Sequence, residues 1–232
     1  MSIVCLFDID GTLLSSGGAG QHAMEQALLE VFSVTGPYED IQAAGRTDKA
    51  ITTDLFNHHK IDLSGENWTR FLDAYVSHLP NSLSTQNGRV LPGVVEILDS
   101  LSSNEAMTLG LLTGNLQVGA ELKLKHFELD HHFRFGGYGD VHHNRDDVAR
   151  TAYQEACTYL ATDVPAETVW VIGDTPSDVT CGRAIGAKTI AVATGIYDAD
   201  SLKATEPDYL FEDFSAVADV LECFVSSLPT DQ

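Results

Sequence analysis

Four short apolar runs constrain this chain more than any other feature: Ile3–Phe7, Met107–Leu112, 169–172 and 189–193. None carries a charge, and each is followed at once by Asp8, Thr113, Gly173 or Thr194. A strand with one wet face alternates apolar and polar residues. Runs that do not alternate suit strands covered on both faces, as in a parallel sheet. Between and after them, apolar residues recur at helical spacing over 94–101, 116–127, 147–160 and 177–185. Strand alternating with helix predicts an α/β fold with a doubly wound, Rossmann-like parallel sheet. Segments 133–135 and 208–211 read as the third and last strands, and 213–225 as a closing helix.

One stretch breaks the rhythm. After Phe7, no further strand-like run occurs until Met107, while 22–32, 49–58 and 68–79 all show helical spacing. The Ser/Gly stretch around Gly17 and the Asn87-Gly88 pair supply turn residues at either end. The expectation is an inserted α-helical cap domain over 16–88, with the α/β core formed by 1–15 and 89–232. A chain of 232 residues is long enough for both.

In open parallel sheets, ligands bind beyond the carboxyl ends of the strands, so the residues that end each run are the ones to inspect. The first run ends in Asp8-Ile9-Asp10-Gly11-Thr12. Two carboxylates this close repel each other unless a cation joins them. Asp-Gly is also a common turn pair, which is the plainer reading. The second run ends in Thr113-Gly114-Asn115, whose hydroxyl and amide groups suit phosphoryl oxygens, or else cap the next helix. A later run ends in Gly173-Asp174-Thr175-Pro176-Ser177-Asp178. Its two acids suit a metal, although Pro near a first turn also marks an ordinary capped helix start.

Taken in order, these elements resemble the haloacid dehalogenase-like superfamily of phosphohydrolases, specifically phosphoglycolate-phosphatase-like members with a helical cap between the first and second motifs. That resemblance implies a Mg²⁺-dependent phosphatase acting on a small phosphorylated metabolite, a phosphoglycolate-like monoester. Asp8 would be the nucleophile that forms an aspartyl-phosphate, and Asp10 the general acid and base. Mg²⁺ would be held by Asp8, the Asp10 carbonyl, Asp174 and Asp178. Thr113, Gly114 and Asn115 would bind the phosphoryl group. An acid at position 10 favours phosphoryl transfer over dehalogenation, because a halide needs no proton. The family's Lys-Pro signature before the last motif is absent. Lys123 and Lys125 lie well into a helix, roughly 15 Å from the strand end at 1.5 Å per residue. Arg145 is therefore expected to be the phosphate-binding cation, against the alternative of pairing with a surface acid.

The segment Gly45-Arg46-Thr47-Asp48-Lys49 resembles a cap loop near the substrate in such relatives. Arg46 would then meet an anionic substrate group, unless the loop is simply solvated. Lys49 raises a rival, a Schiff-base lysine as in phosphonate hydrolases. A sugar-phosphate mutase and a non-catalytic metal- or ligand-binding module are further alternatives. The pairs His58–His59, His131–His132 and His142–His143 are adjacent residues, which do not share a face, so joint metal sites are not expected.

Charge narrows the partners. With 13 Lys and Arg against 34 Asp and Glu, the formal charge is −21, which repels polyanions and argues against nucleic-acid binding. Four scattered cysteines form no C-x-x-C pair and are expected to be reduced and buried. No apolar run spans a bilayer, and the first residues do not form a secretory signal, so a cytoplasmic monomer or homodimer without membrane attachment is expected.

Overall fold

The computed structural model describes residues 2–36 and 42–225. The first run forms β1 (Ile3–Phe7), and the chain then makes a short strand, β2 (Leu14–Ser15). Three helices follow: α1 (Ala19–Phe32), α2 (Asp48–His58) and α3 (Gly65–Thr85). The chain returns through β3 (Arg89–Val90), which pairs antiparallel with β2. That two-residue ribbon was not predicted, being too short to show a period of two. It ties the exit from the sheet to the return. The helical segment thus leaves and rejoins the sheet at one place.

The remainder alternates: α4 (Val94–Ser102), β4 (Met107–Leu112), α5 (Gln117–His126), β5 (Gly136–Gly137), α6 (Arg145–Leu160), β6 (Val169–Gly173) and α7 (Pro176–Ala184). Then come β7 (Lys188–Val192), α8 (Ala199–Lys203), β8 (Tyr209–Phe211) and α9 (Val217–Val225). The six-stranded sheet runs β5-β4-β1-β6-β7-β8, and every pair is parallel. The doubly wound architecture is as expected. The third strand is displaced from 133–135 to Gly136–Gly137. Arg134 and Phe135 do bond β4 through their backbones, but Phe133 turns its ring against Phe7.

β1 shows how the apolar runs build the core. Ile3, Cys5 and Phe7 join a cluster with α4, α5 and α9, while Val4 and Leu6 join another with α6 and α7. Alternate residues face opposite layers, and both layers are buried. A third cluster belongs to α1, α2 and α3, with Ala23, Leu28, Leu55, Phe56, Phe71 and Tyr75 among its members. Leu116 joins it from just before α5, so the helical layer rests on the second motif. Cys5, Cys181 and Cys223 are buried, Cys157 is half-buried, and all four are free thiols. Among the described residues, no helix is long and apolar enough to cross a membrane.

Candidate active site

The chain passes from β1 to β4 on one side and reaches β6 on the other, so β1 lies at the switch point of the sheet. Asp8 follows β1 and donates its amide to Ile172 O at 2.9 Å, which locks it beside the end of β6. Asp174 follows β6, and Asp178 lies in the first turn of α7. One carboxylate oxygen from each of these three lies within 4.8 Å of the others, and all three residues are buried.

This trio is short of positive charge. Burial raises the pKa of Asp174, and the carboxylates of Asp178 and Asp8 raise it further. Burial also raises Asp8, with Arg145 opposing and Asp178 adding to the rise. Two glycines let the backbone approach Asp174 closely. A Cβ at Gly11 or Gly195 would collide with the Asp174 carboxylate. At Gly11 the φ of +86° independently favours glycine. A buried, all-oxygen, undercompensated cluster fits a hard divalent cation such as Mg²⁺. Asp8 and Asp174 would hold it. Asp178 is less free, since one oxygen meets Arg145 and the other accepts from the Thr175 amide at 3.0 Å and hydroxyl at 2.7 Å. The plain capping reading of Asp178 is therefore realised as a capping box, in addition to its place in the trio.

Arg145 is the first residue of α6, two positions earlier than the helix was expected to start. It is 7% exposed. Its guanidinium bonds Asp178, reaches Asp8 Oδ1 at 3.4 Å and donates to Leu112 O at 3.3 Å. The alternative of a surface ion pair is excluded by this burial.

Asp10 lies on the other side of the β1 mouth. Its carboxylate accepts from Ser16 Oγ at 3.0 Å, Asn115 Nδ2 at 2.9 Å and Lys123 Nζ at 2.5 Å. Burial pushes this carboxyl up, but Lys123, Asn115 and Ser16 together overcome that and leave its pKa lowered. Lys123, set aside on helical rise, thus corrects that expectation. Side chains on a helix lean toward its N-terminus, and the Lys stem spans the remaining gap. The ammonium also donates to Asn115 Oδ1 at 2.6 Å.

Thr113 is fully buried, and its hydroxyl accepts from Asn115 Nδ2 at 2.8 Å. Neither Thr113 nor Asn115 caps α5. The first amides there are taken by remote acids, Leu116 N by Asp48 Oδ2 and Gln117 N by Asp140 Oδ2, both at 2.9 Å. The Asp48 amide in turn donates to Gly114 O at 2.7 Å, which joins α2 to the second motif.

A cavity of about 480 Å³ opens over these groups and extends between the sheet and the helical layer. Asp8, Asp10, Gly114, Asn115, Lys123, Arg145 and Asp174 border it, as does Arg46. The Arg46 guanidinium, however, is bonded to Asp54 Oδ2 at 2.6 Å and Gln42 O at 3.1 Å. Lys49 is placed elsewhere, with its ammonium 3.5 Å over the Trp68 ring. That removes the support for a Schiff-base lysine. His132 bonds Ser102, and His142 lies within 3.0 Å of Thr151 Oγ1. His131 and His132 do fall near Asp99, two of these three groups being exposed. Thr12 belongs to the first motif but was given no role from sequence: its hydroxyl donates to Asp174 Oδ1 at 2.9 Å. Ser16 and Thr194, which also border the cavity, were missed too, because single Ser and Thr residues in loops carry no pattern.

The family described as haloacid dehalogenase-like hydrolase matches residues 5–192. Among curated relatives, the chain is 28% identical over 226 residues to a probable phosphatase, IndB, of Dickeya dadantii, covering 94% of this chain and 92% of that one. It is 24% identical to the pyrophosphatase PpaX of Anoxybacillus flavithermus, with 93% and 95% covered. Among solved structures, CbbY from Rhodobacter sphaeroides in complex with phosphate superposes with a TM-score of 0.73 at 18% identity, covering 94% and 96%. A predicted phosphoglycolate phosphatase from Haemophilus somnus 129PT gives 0.71 at 18% identity, covering 95% and 98%. Fold, strand-end acids and family match agree, and the chain belongs to the haloacid dehalogenase-like hydrolases.

Proposed function

We propose that this hydrolase cleaves small phosphomonoesters by transferring the phosphoryl group to Asp8 and then to water. The observation that carries the reading is the trio Asp8, Asp174 and Asp178, gathered within 4.8 Å beside a buried arginine at the mouth of the sheet. Bound Mg²⁺ would neutralise repulsion between the carboxylates and the phosphoryl oxygens. Asp8 borders the cavity and offers an oxygen for attack on phosphorus. Arg145, the Gly114 backbone and Asn115 would hold the phosphoryl oxygens, with Thr113 keeping Asn115 in place from behind. Asp10, held ionised by Lys123, is set to take a proton from the water that splits the aspartyl-phosphate. An arriving phosphoryl group is a neighbouring negative charge, which raises the pKa of Asp10 and suits it to protonate the leaving oxygen. The products are inorganic phosphate and an alcohol. The helical layer, residues 16–88, would act as the cap that closes over the ester and excludes water.

The test is phosphate release from a panel of phosphomonoesters, with Mg²⁺ or with chelator, for wild type and Asp8→Asn. Release is expected only with metal, and to fall by on the order of 10⁴-fold in the variant, as for loss of a nucleophile. Full activity in Asp8→Asn would remove the covalent step. A panel with no turnover would leave a binding module as the better reading.

A further inference from the structure

The cavity has two unlike ends. Asp8, Asp10 and Asp174 mark the end at the sheet. The other end lies between α1, α2 and α3, bordered by Met24, Leu28, Ile51, Leu55 and Tyr75, each less than a tenth exposed. We infer that the leaving group of the substrate is an uncharged, largely apolar alkyl or aryl alcohol that lodges among these five side chains. The inference rests on the phosphomonoesterase reading, because it takes the phosphoryl group to dock at Asp8.

Charge carries it. Among the described residues, three cations border the cavity, and each faces an acid: Lys123 faces Asp10, Arg145 faces Asp178 and Asp8, and Arg46 faces Asp54. Among the same residues, five acids border it: Asp8, Asp10, Glu25, Asp48 and Asp174. Residues 33–45 contain no Lys or Arg, only Glu39 and Asp40. A substrate with a second anionic group would place it in an apolar recess near Glu25 and Asp48. Burying a charge without a partner is costly, whereas an alkyl or aryl group gains by leaving water. The one polar atom of those five side chains is also neutral. The Tyr75 hydroxyl is buried with no hydrogen-bond partner among the described residues, and burial raises its pKa well above the usual value, so it stays a phenol. Such a donor suits an uncharged oxygen. The volume of about 480 Å³ is within the range of pockets that enclose small organic ligands.

Arg46 supplies the counter-case. Its pair with Asp54 is partly exposed, with the two side chains 33% and 47% accessible, so a change of partner is inexpensive. Calorimetric titration of the Mg²⁺-loaded protein with benzylphosphonate and phosphonoacetate, neither of which is hydrolysed, separates the two cases. Benzylphosphonate is expected to bind at least tenfold more tightly, and Met24→Gln to reduce that preference at least threefold. Equal or tighter binding of phosphonoacetate by the wild type overturns the inference, and loss of that binding in Arg46→Ala would assign the carboxylate to Arg46. Phosphate release from benzyl phosphate is followed in parallel and reports on the hydrolytic reading alone. Preferential benzylphosphonate binding with no release from benzyl phosphate would count against the hydrolytic reading and leave the recess as a binding site for an apolar group.

Discussion

Asp8 and Asp10 stand two residues apart on one strand end, yet their surroundings have opposite electrostatics. Asp8 shares Arg145 with Asp178 and lies close to Asp174, so three carboxylates depend on one cation. Asp10 accepts from a buried ammonium, an amide and a hydroxyl, and no second carboxylate bonds that ammonium among the described residues. The first neighbourhood has one cation for three carboxylates and suits a further ion. The second is already neutralised and is built to hold one carboxylate in place. A pair of acids in sequence therefore says little about either acid until its partners are known, and four measurements test the contrast.

Metal should produce the largest change. Mg²⁺ at a hundred times its dissociation constant would add about 2.7 kcal/mol to stability, raising Tm by several degrees for a chain of this size. Asp174→Asn should abolish that shift in a thermal melt, whereas a shift of unchanged size would place the ion elsewhere. Next comes Lys123→Met, which leaves the partly exposed Asp10 without its cation. Loss of one partner of a buried pair costs roughly 3–5 kcal/mol, and the 36% exposure of Asp10 reduces the expected loss to about 2 kcal/mol. Denaturant unfolding measures it, and a variant as stable as wild type would mean that water serves Asp10 equally well.

Asp48 gives a smaller effect with a sign that depends on pH. Burial raises its carboxyl to about 6, with Lys123 and the Leu116 amide opposing the rise. A raised carboxyl binds its proton more tightly in the folded state than in the unfolded one. Stability is therefore lost as pH climbs from about 4 through 6, and the penalty is complete above that range. Asp48→Asn keeps an acceptor for Leu116 N and removes the charge. It should stabilise the protein at pH 8 by about 1.5 kcal/mol, half of what the full shift would imply. Tm measured at pH 8 and pH 4 checks this: the gain should shrink at the lower pH, and a gain equal at both would exclude Asp48. The smallest change is Tyr75→Phe. The hydroxyl has no partner, so its removal should alter stability by less than about 0.5 kcal/mol, where a bonded hydroxyl would cost about 1 kcal/mol or more.

Much of this molecule was legible without coordinates, and the reasons are local. Uncharged runs such as Ile3–Phe7 suit strands covered on both sides, and β1 divides its residues between two buried clusters. Helical spacing over 22–32, 49–58 and 68–79 placed α1, α2 and α3, and only their ends moved. The strand-end motifs named Asp8, Asp10, Asn115 and Asp174, the family resemblance named Arg145, and all five border one cavity. Where local pattern was thin, the reading slipped. β5 has two glycines and no side chain to betray it, and the β2–β3 ribbon is too short for any period.

Sequence by itself determined the alternation of strand and helix, the inserted helical segment and the acids that end the strands, because periodicity and strand-end chemistry are properties of neighbouring residues. Only the tertiary structure decided which charge meets which. Lys123 reaches Asp10 across 113 positions of chain, Arg145 reaches Asp8 across 137, and Asp48 reaches Leu116 across 68. The same holds for the apolar recess, whose walls come from three helices and meet only when those helices pack. No spacing along the chain encodes such encounters, since they are set by how the layers close on one another.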